Sequence, residues 1–382
     1  MRRVMSKKSV LITGGAGFIG TNLAKALLQK GWKVTILDAM IKQVHREKKW
    51  AGPADVEFFH GNVCHRKAVQ QSLEGVDHIV HLAAETGVGQ SAYEIARYVK
   101  TNEYGTAVLL DEVTKVAGNI SRIVLASSRA VYGEGMYECL GCGIVSPGLR
   151  NPSALKEGNW EPVCPVCRGT ILYQPAVESQ SVDPVSIYGI SKYNQEQLLK
   201  QFAHTFKVPG IALRFQNVYG PGQALGNPYT GILAVFSTRF LANMPISIYE
   251  DGAEKRDFVF VDDVVHSIML ALEKSFSSHY EVYNIGTGKG TPILEIAHSL
   301  AAQIGGATPI NLTGQYRVGD IRHAWADITK VRKDFGYKPR VSLEEGLKRF
   351  VEWVNEQPMP IDRYQKTERE LKNKGLLFEL KV

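Results

Sequence analysis

Two side chains four residues apart, Tyr188 and Lys192, carry the first chemical signal in the chain. At that spacing on a helix both point from one face. A phenol ordinarily ionises near pH 10, and an ammonium beside it favours the phenolate, so the pair reads as a general base for a hydroxyl proton. Ser128 follows the apolar run Ile123–Ala126 and supplies a hydroxyl where a parallel sheet opens toward its ligands. A second signal runs from Gly14 through Gly17, Phe18 and Ile19 to Gly20, spaced Gly-x-x-Gly-x-x-Gly. Such a turn lets the backbone approach a pyrophosphate at a helix N-terminus. Asp38 stands 18 positions beyond Gly20. A carboxylate there accepts ribose hydroxyls and repels a 2′-phosphate, which points to NAD rather than NADP. The third signal is Cys139-x-x-Cys142 followed, after 21 residues, by Cys164-x-x-Cys167. Four thiolates so spaced suit one tetrahedral zinc, with no open position for chemistry, so the metal is expected to be structural.

These groups need a scaffold. Ser9–Thr13 is a short apolar run with β-branched members, and the apolar residues Ile19, Leu23, Ala26 and Leu27 behind the glycines trace one helical face. Gly31 ends that helix and Lys33–Leu37 is the next strand, so the unit is βαβ. Strands are expected at 56–59, 78–82, 123–126 and 210–214, with helices over 95–115 and 192–206 among them. This alternation predicts a doubly wound parallel α/β sheet of the Rossmann kind. The domain expectation is a cofactor-binding unit over 1–215, interrupted by a zinc-ribbon insert at 136–176. A smaller lobe covers 216–257 and 288–360, with 258–287 returning to the first unit and 361–382 a charged tail of unassigned role.

The chain has 382 residues, 45 basic against 38 acidic, a net charge of +7 and a pI near 9.0. Its apolar and charged fractions are those of an ordinary globular protein and disfavour disorder, collagen and coiled coil. No apolar run approaches about 18 residues, which argues against a membrane span. The basic start, Met1–Lys8, lacks a cleavage site, so the expected location is the cytoplasm. Basic residues are scattered, which makes nucleic acid an unfavoured partner. The histidines at 45, 60, 65, 78, 81 and 323 show no ligand spacing, and Cys64 is expected to be inert.

The glycine turn, Ser127-Ser128 and Tyr188/Lys192 together resemble the extended short-chain dehydrogenase/reductase family of nucleotide-sugar enzymes. The likeness extends through His81-Leu82-Ala83-Ala84, the run from Leu213 through Asn217 to Pro221, Arg256-Asp257-Phe258, Tyr283–Gly288 and Arg317–Asp320. The resemblance implies that Leu82, Ala83 and Ala84 pass the cofactor, and that Asn217, Arg256 and Arg317 hold the substrate diphosphate, as guanidinium groups do well. It also implies a homodimer packed through helices around 92–116 and 192–204. Where the family carries an acidic adenine contact this chain has Asn62-Val63, whose amide carbonyl is expected to accept from the adenine amine. Arg129 reads either as a substrate contact or as a strand-end cap against solvent.

Dehydratases of the family follow the catalytic hydroxyl with an Asp-Glu pair, and here those positions are Arg129 and Ala130. Neither does carboxyl chemistry, so epimerisation is expected instead. The base takes the C4 hydroxyl proton while hydride passes to NAD, the 4-ketone turns over, and hydride returns to its other face. The cysteine insert, with Tyr137-Glu138 before its first pair and Trp160-Glu161-Pro162-Val163 before its second, resembles a branch acting on dTDP-L-rhamnose to give dTDP-6-deoxy-L-talose. The rival readings are a UDP-hexose 4-epimerase, a 4,6-dehydratase, a 4-ketoreductase, and a non-catalytic NAD-binding scaffold.

Overall fold

The computed structural model describes residues 7–45, 50, 52–227, 229, 231–275, 278–305, 308–358 and 364–380. Residues 1–6 of the basic start, and 361–363 and 381–382 of the expected tail, lie outside the described residues.

Apolar β-branched runs with no polar alternation must be covered on both faces, and that is what the first strand does. β1 (Ser9–Thr13) is buried along its whole length. It lies in a seven-stranded parallel sheet with β2 (Lys33–Asp38), β3 (Glu57–His60), β4 (His78–His81), β5 (Arg122–Ser128), β6 (Gly210–Phe215) and β7 (Tyr280–Ile285). The spatial order is β7-β6-β5-β4-β1-β2-β3, so the direction of winding reverses between β1 and β4. The register pairs Thr13 with Leu37 on one side and with His81 on the other. The carboxyl ends of the central strands therefore open on one edge.

The helix Phe18–Gln29 begins directly after the glycine turn and buries Leu23, Ala24 and Leu27. The helix Ile187–Phe206 starts earlier than its apolar pattern suggests, because Ser186 caps it by accepting from Gly189 N at 3.0 Å. The expected helix over 95–115 is continuous but contains a wide π turn at Val99–Tyr104, between α segments Ile95–Tyr98 and Gly105–Thr114. Such bulges redirect a side chain. Here Asn102 is buried, donates to Ser191 Oγ at 2.8 Å and accepts from Glu85 N at 2.7 Å.

The cysteine-bearing segment makes its own three-stranded antiparallel sheet from Tyr137–Cys139, Gly143–Val145 and Leu172–Tyr173. Its core is small: Tyr137, Cys139, Val145, Cys164 and Ile171. The lobe beyond β6 uses short pairs, Asn217–Tyr219 with Phe258–Phe260 and Ile246–Ile248 with Ile310–Leu312. Its helices Ile232–Leu241, Ile293–Ile304 and Leu343–Asn355 share one apolar core with the β1 face of the sheet.

A charged pair sits inside this framework. Arg214 on β6 grips Glu196 through two bonds of 2.9 and 2.7 Å, both groups buried, while Ser127 donates to the same carboxylate and the guanidinium lies 4.7 Å over the Tyr132 ring. Removing one member strands a buried charge. Glu196→Ala should cost about 3–5 kcal/mol in urea denaturation, and Glu196→Ala/Arg214→Met should recover part of that loss; equal stability of the single variant and wild type would refute the assignment.

Candidate active site

The strand ends of β1, β2, β4 and β5 surround a cavity of about 460 Å³. Gly14 has φ +68°, and a Cβ there would lie 2.7 Å from Ala83 N, so only glycine lets the turn pass the β4 loop. Gly17 is the cap of the helix Phe18–Gln29. A Cβ at Gly17 would meet nothing closer than Gly14 O at 3.2 Å, which leaves the helix N-terminus bare toward the cavity, as an anion needs. Asp38 is fixed at the end of β2 by Ala16 N at 3.0 Å and Met40 N at 2.8 Å. Gly14, Gly17, Phe18, Ile19, Gly20, Asp38, Asn62, Val63, Leu82, Ala83 and Ala84 all line this cavity, so the residues fit a dinucleotide. Asn62 also has a partner in the local turn. Its carbonyl already accepts from Cys64 N at 2.8 Å, because a short amide at the head of the helix Arg66–Ser72 serves the local turn first.

Ser128, Tyr188 and Lys192 meet on the wall of the same cavity. The phenol of Tyr188 is hydrogen-bonded to Ser128. Burial raises its pKa, and Ser128 and the Arg129 guanidinium pull it back toward the phenolate. Lys192 opens on this cavity beside Tyr188. Its ammonium donates to Ala126 O at 2.8 Å and to Gln195 Oε1 at 2.9 Å. Burial pushes it down to about 7, with Glu196 opposing.

Behind Lys192 runs a buried polar chain. Gln195 donates to Thr106 Oγ1 at 2.7 Å, and His81 bridges Thr106 Oγ1 at 2.8 Å and Thr13 Oγ1 at 2.7 Å. Thr106 spends its own proton on Asn102 O, so His81 must donate from Nε2 and accept at Nδ1. That imidazole is neutral: burial and the nearby Lys192 charge lower it to about 3.

A second cavity of about 310 Å³ adjoins the first and shares Arg129, Ala130, Asn217 and Tyr229 with it. Of the two readings of Arg129, the solvent-facing cap is excluded. The side chain lines both cavities and donates to Asn217 Oδ1 at 2.7 Å, with burial and Arg256 lowering it to about 10. Arg256 and Arg317 line the second cavity, held by the Ile321 and Arg322 carbonyls and by Asp320 at 2.7 Å respectively. The sequence reading did not single out Tyr249, Glu250, Glu254 or Asp320, nor Tyr364, Thr367, Glu368 and Leu371, which complete the wall. The last four fall at i, i+3, i+4 and i+7, a helical face that the heavily charged tail disguised.

The four sulfur atoms of Cys139, Cys142, Cys164 and Cys167 lie within 4.8 Å of one another, with Cys139 and Cys167 at 3.5 Å. Tetrahedral zinc–thiolate bonds of about 2.3 Å place sulfurs roughly 3.8 Å apart, so the cluster fits such an ion. Arg150 of the same insert forks onto Glu250 at 2.8 and 2.7 Å and donates to Asp320 O at 2.8 Å. Glu250 also accepts from Arg322 at 3.0 Å and adopts φ +51°, an uncommon position for an acidic side chain.

Residues 10–139 and 168–286 match the family described as NAD dependent epimerase/dehydratase, and the break between them falls within the cysteine insert. The dTDP-L-rhamnose 4-epimerase of Burkholderia thailandensis is 36% identical over 351 residues, covering 91% of this chain and 95% of its own. The UDP-glucose 4-epimerase of Thermotoga maritima, solved with UDP-glucose, superposes with a TM-score of 0.74 at 31% identity, covering 91% of this chain and 98% of its own. That of Thermus thermophilus, solved with NAD, gives 0.73 at 26%, covering 92% and 100%. The chain belongs to the NAD dependent epimerase/dehydratase family. The expectations of a doubly wound sheet and of an NAD-dependent epimerase are borne out. Among the described residues no helix is long and apolar enough to cross a membrane.

The buried imidazole makes stability depend on pH. Unfolded chains protonate His81 below about pH 6.5, whereas the folded protein does so only near 3. The unfolded state therefore binds more protons in that window, and stability falls as pH drops through it by about 1.4 kcal/mol per unit. Between about pH 6.5 and 5.0, wild type should lose about 2 kcal/mol more than His81→Gln in urea denaturation; parallel losses would show that His81 is not the titrating group.

Proposed function

We propose that the protein is a nucleotide-sugar 4-epimerase with tightly held NAD, acting on dTDP-L-rhamnose to give dTDP-6-deoxy-L-talose. The observation that carries the reading is the Ser128–Tyr188 pair at the junction of the two cavities, beside Arg129 and Ala130 rather than carboxylates. The Burkholderia relative supports the choice of sugar. NAD, when bound, supplies the acceptor for hydride from carbon 4 and the source of its return.

The chain's own residues do the rest. Tyr188 takes the C4 hydroxyl proton and gives it back, and Ser128 holds that hydroxyl in line. The Lys192 charge favours the phenolate of Tyr188, and its ammonium also orders the floor of the site through Ala126 and Gln195. Asp38 accepts the adenosine ribose hydroxyls. Arg129, Asn217, Arg256 and Arg317 offer donors to the diphosphate, since guanidinium matches phosphate oxygens in pairs. Glu85, an acid on the wall of the first cavity, is paired with Arg97 at 2.7 Å, which disfavours it as the acid of a dehydration.

Proton NMR in deuterium oxide tests the reaction, with dTDP-L-rhamnose, UDP-glucose and dTDP-glucose each offered without added NAD. Conversion of the first to its 4-epimer with no deuterium at carbon 5 is expected, and Tyr188→Phe should lower the rate by about 10²–10⁴-fold. Conversion of UDP-glucose instead would move the enzyme to the UDP-hexose reading. Loss of water from dTDP-glucose would overturn epimerisation.

Two further parts of the reading concern assembly. We infer one structural zinc per chain on the four cysteines, and a homodimer across the helices of 95–114 and 187–206. Those helices expose Ile95, Val99, Tyr104, Ile190, Leu198 and Phe206. Native mass spectrometry should find two chains carrying two NAD and two zinc ions, with zinc lost in Cys142→Ser; a metal-free monomer would refute both.

A further inference from the structure

The charged C-terminal segment has no evident reason to fold by itself. The helix Tyr364–Asn373 buries only Leu371, too little apolar area to hold ten residues of mostly charged sequence. Named polar contacts hold it instead, and they come from both sides of the cleft. From the lobe, the Tyr364 hydroxyl donates to that of Tyr249 at 3.3 Å, and the Arg239 guanidinium lies 4.6 Å over the Tyr364 ring. The lobe's Tyr229 donates to Glu370 at 3.1 Å, and from the cofactor side Tyr93 bonds Tyr229 at 2.6 Å and lies with its ring 4.6 Å from the Lys374 ammonium. Beyond the helix, Phe378 and Tyr316 exchange backbone hydrogen bonds of 3.0 and 2.9 Å and stack their rings at 5.6 Å. The segment is tied down at several points along its length, on two different parts of the molecule.

What those ties present is a wall. Tyr364, Thr367, Glu368 and Leu371 form one helical face, and that face closes the second cavity opposite Tyr249 and Arg317. We propose that the C-terminal helix is a substrate-binding element, and that Tyr364, Thr367 and Glu368 contact the nucleoside diphosphate of the substrate. This rests on the nucleotide-sugar reading given above. The division of chemistry follows from charge. Arg317 is the cation of this end of the cavity and takes phosphate. Glu368, paired with Lys372 at 3.6 Å, repels phosphate and accepts from a nucleoside hydrogen-bond donor. Thr367, which also hydrogen-bonds Tyr229, stands between Tyr364 and Leu371 on this face.

The test uses the full-length holoprotein with dTDP and with UDP as probes. Hydrogen exchange across residues 364–376 should slow when dTDP binds. Thr367→Trp should raise the Kd for dTDP about tenfold or more by filling occupied space. Tyr364→Ala, which empties rather than fills the wall, should also weaken binding. Unchanged thermal unfolding and NAD content in both variants establish that they fold. If wild type binds dTDP but the tail shows no protection, or both variants bind as wild type does, the element is overturned. If wild type binds neither dTDP nor UDP, the nucleotide-sugar reading itself fails.

Discussion

The reversal of winding between β1 and β4 is the constraint on which the rest of the molecule depends. Parallel strands require crossovers, and where their direction changes the two flanking loops part and leave a crevice at the carboxyl ends. Here the glycine turn after β1 leaves on one side and the run Leu82–Glu85 after β4 on the other. The two meet at one point, Gly14 against Ala83, so close that a single Cβ would separate them. Ser128 at the end of β5 and Asn217 just past β6 then fall in sequence along the same edge. Every group assigned to cofactor or sugar inherits its place from that reversal.

Beneath the crevice runs a line of buried polar side chains, each hydrogen-bonded to the next. Lys192, Gln195, Thr106, His81 and Thr13 form a continuous buried chain that reaches from the reaction centre to β1. Burial disfavours charge, so the imidazole stays neutral and the ammonium loses its proton more readily. The phenol of Tyr188 faces the same penalty and is relieved by Ser128 and Arg129 instead. Tyr188 and the lysine beside it are thus tuned by different neighbours, a distribution that their spacing on the helix conceals.

The lobe beyond β6 carries a buried ionic cluster in addition to its apolar core. Arg150 from the insert, Glu250 and Arg322 from the lobe form a buried cluster in which each charge has more than one partner. Burying charges costs several kcal/mol each unless they are paired in this way. The cluster ties Arg150 of the cysteine-bearing insert to Glu250 and Asp320, two residues that line the second cavity. Positive φ at Glu250 is the local cost of that join.

The sequence by itself determined the order of strands and helices, the glycine turn with Asp38, the Tyr188/Lys192 pair and the four cysteines. Each is a local pattern: hydrophobic period, turn chemistry or ligand spacing, and local physics is written in neighbouring residues. Tertiary structure alone decided that Lys192 donates to Ala126 O and that Arg129 faces two cavities. It also decided that Glu250 answers Arg150 across 100 positions and that the charged tail closes a pocket. Those contacts join residues far apart in the chain, and their strength depends on burial, which no single stretch of sequence specifies. A carboxylate at position 250 or a tyrosine at 364 looks like any surface residue until the fold removes water from around it.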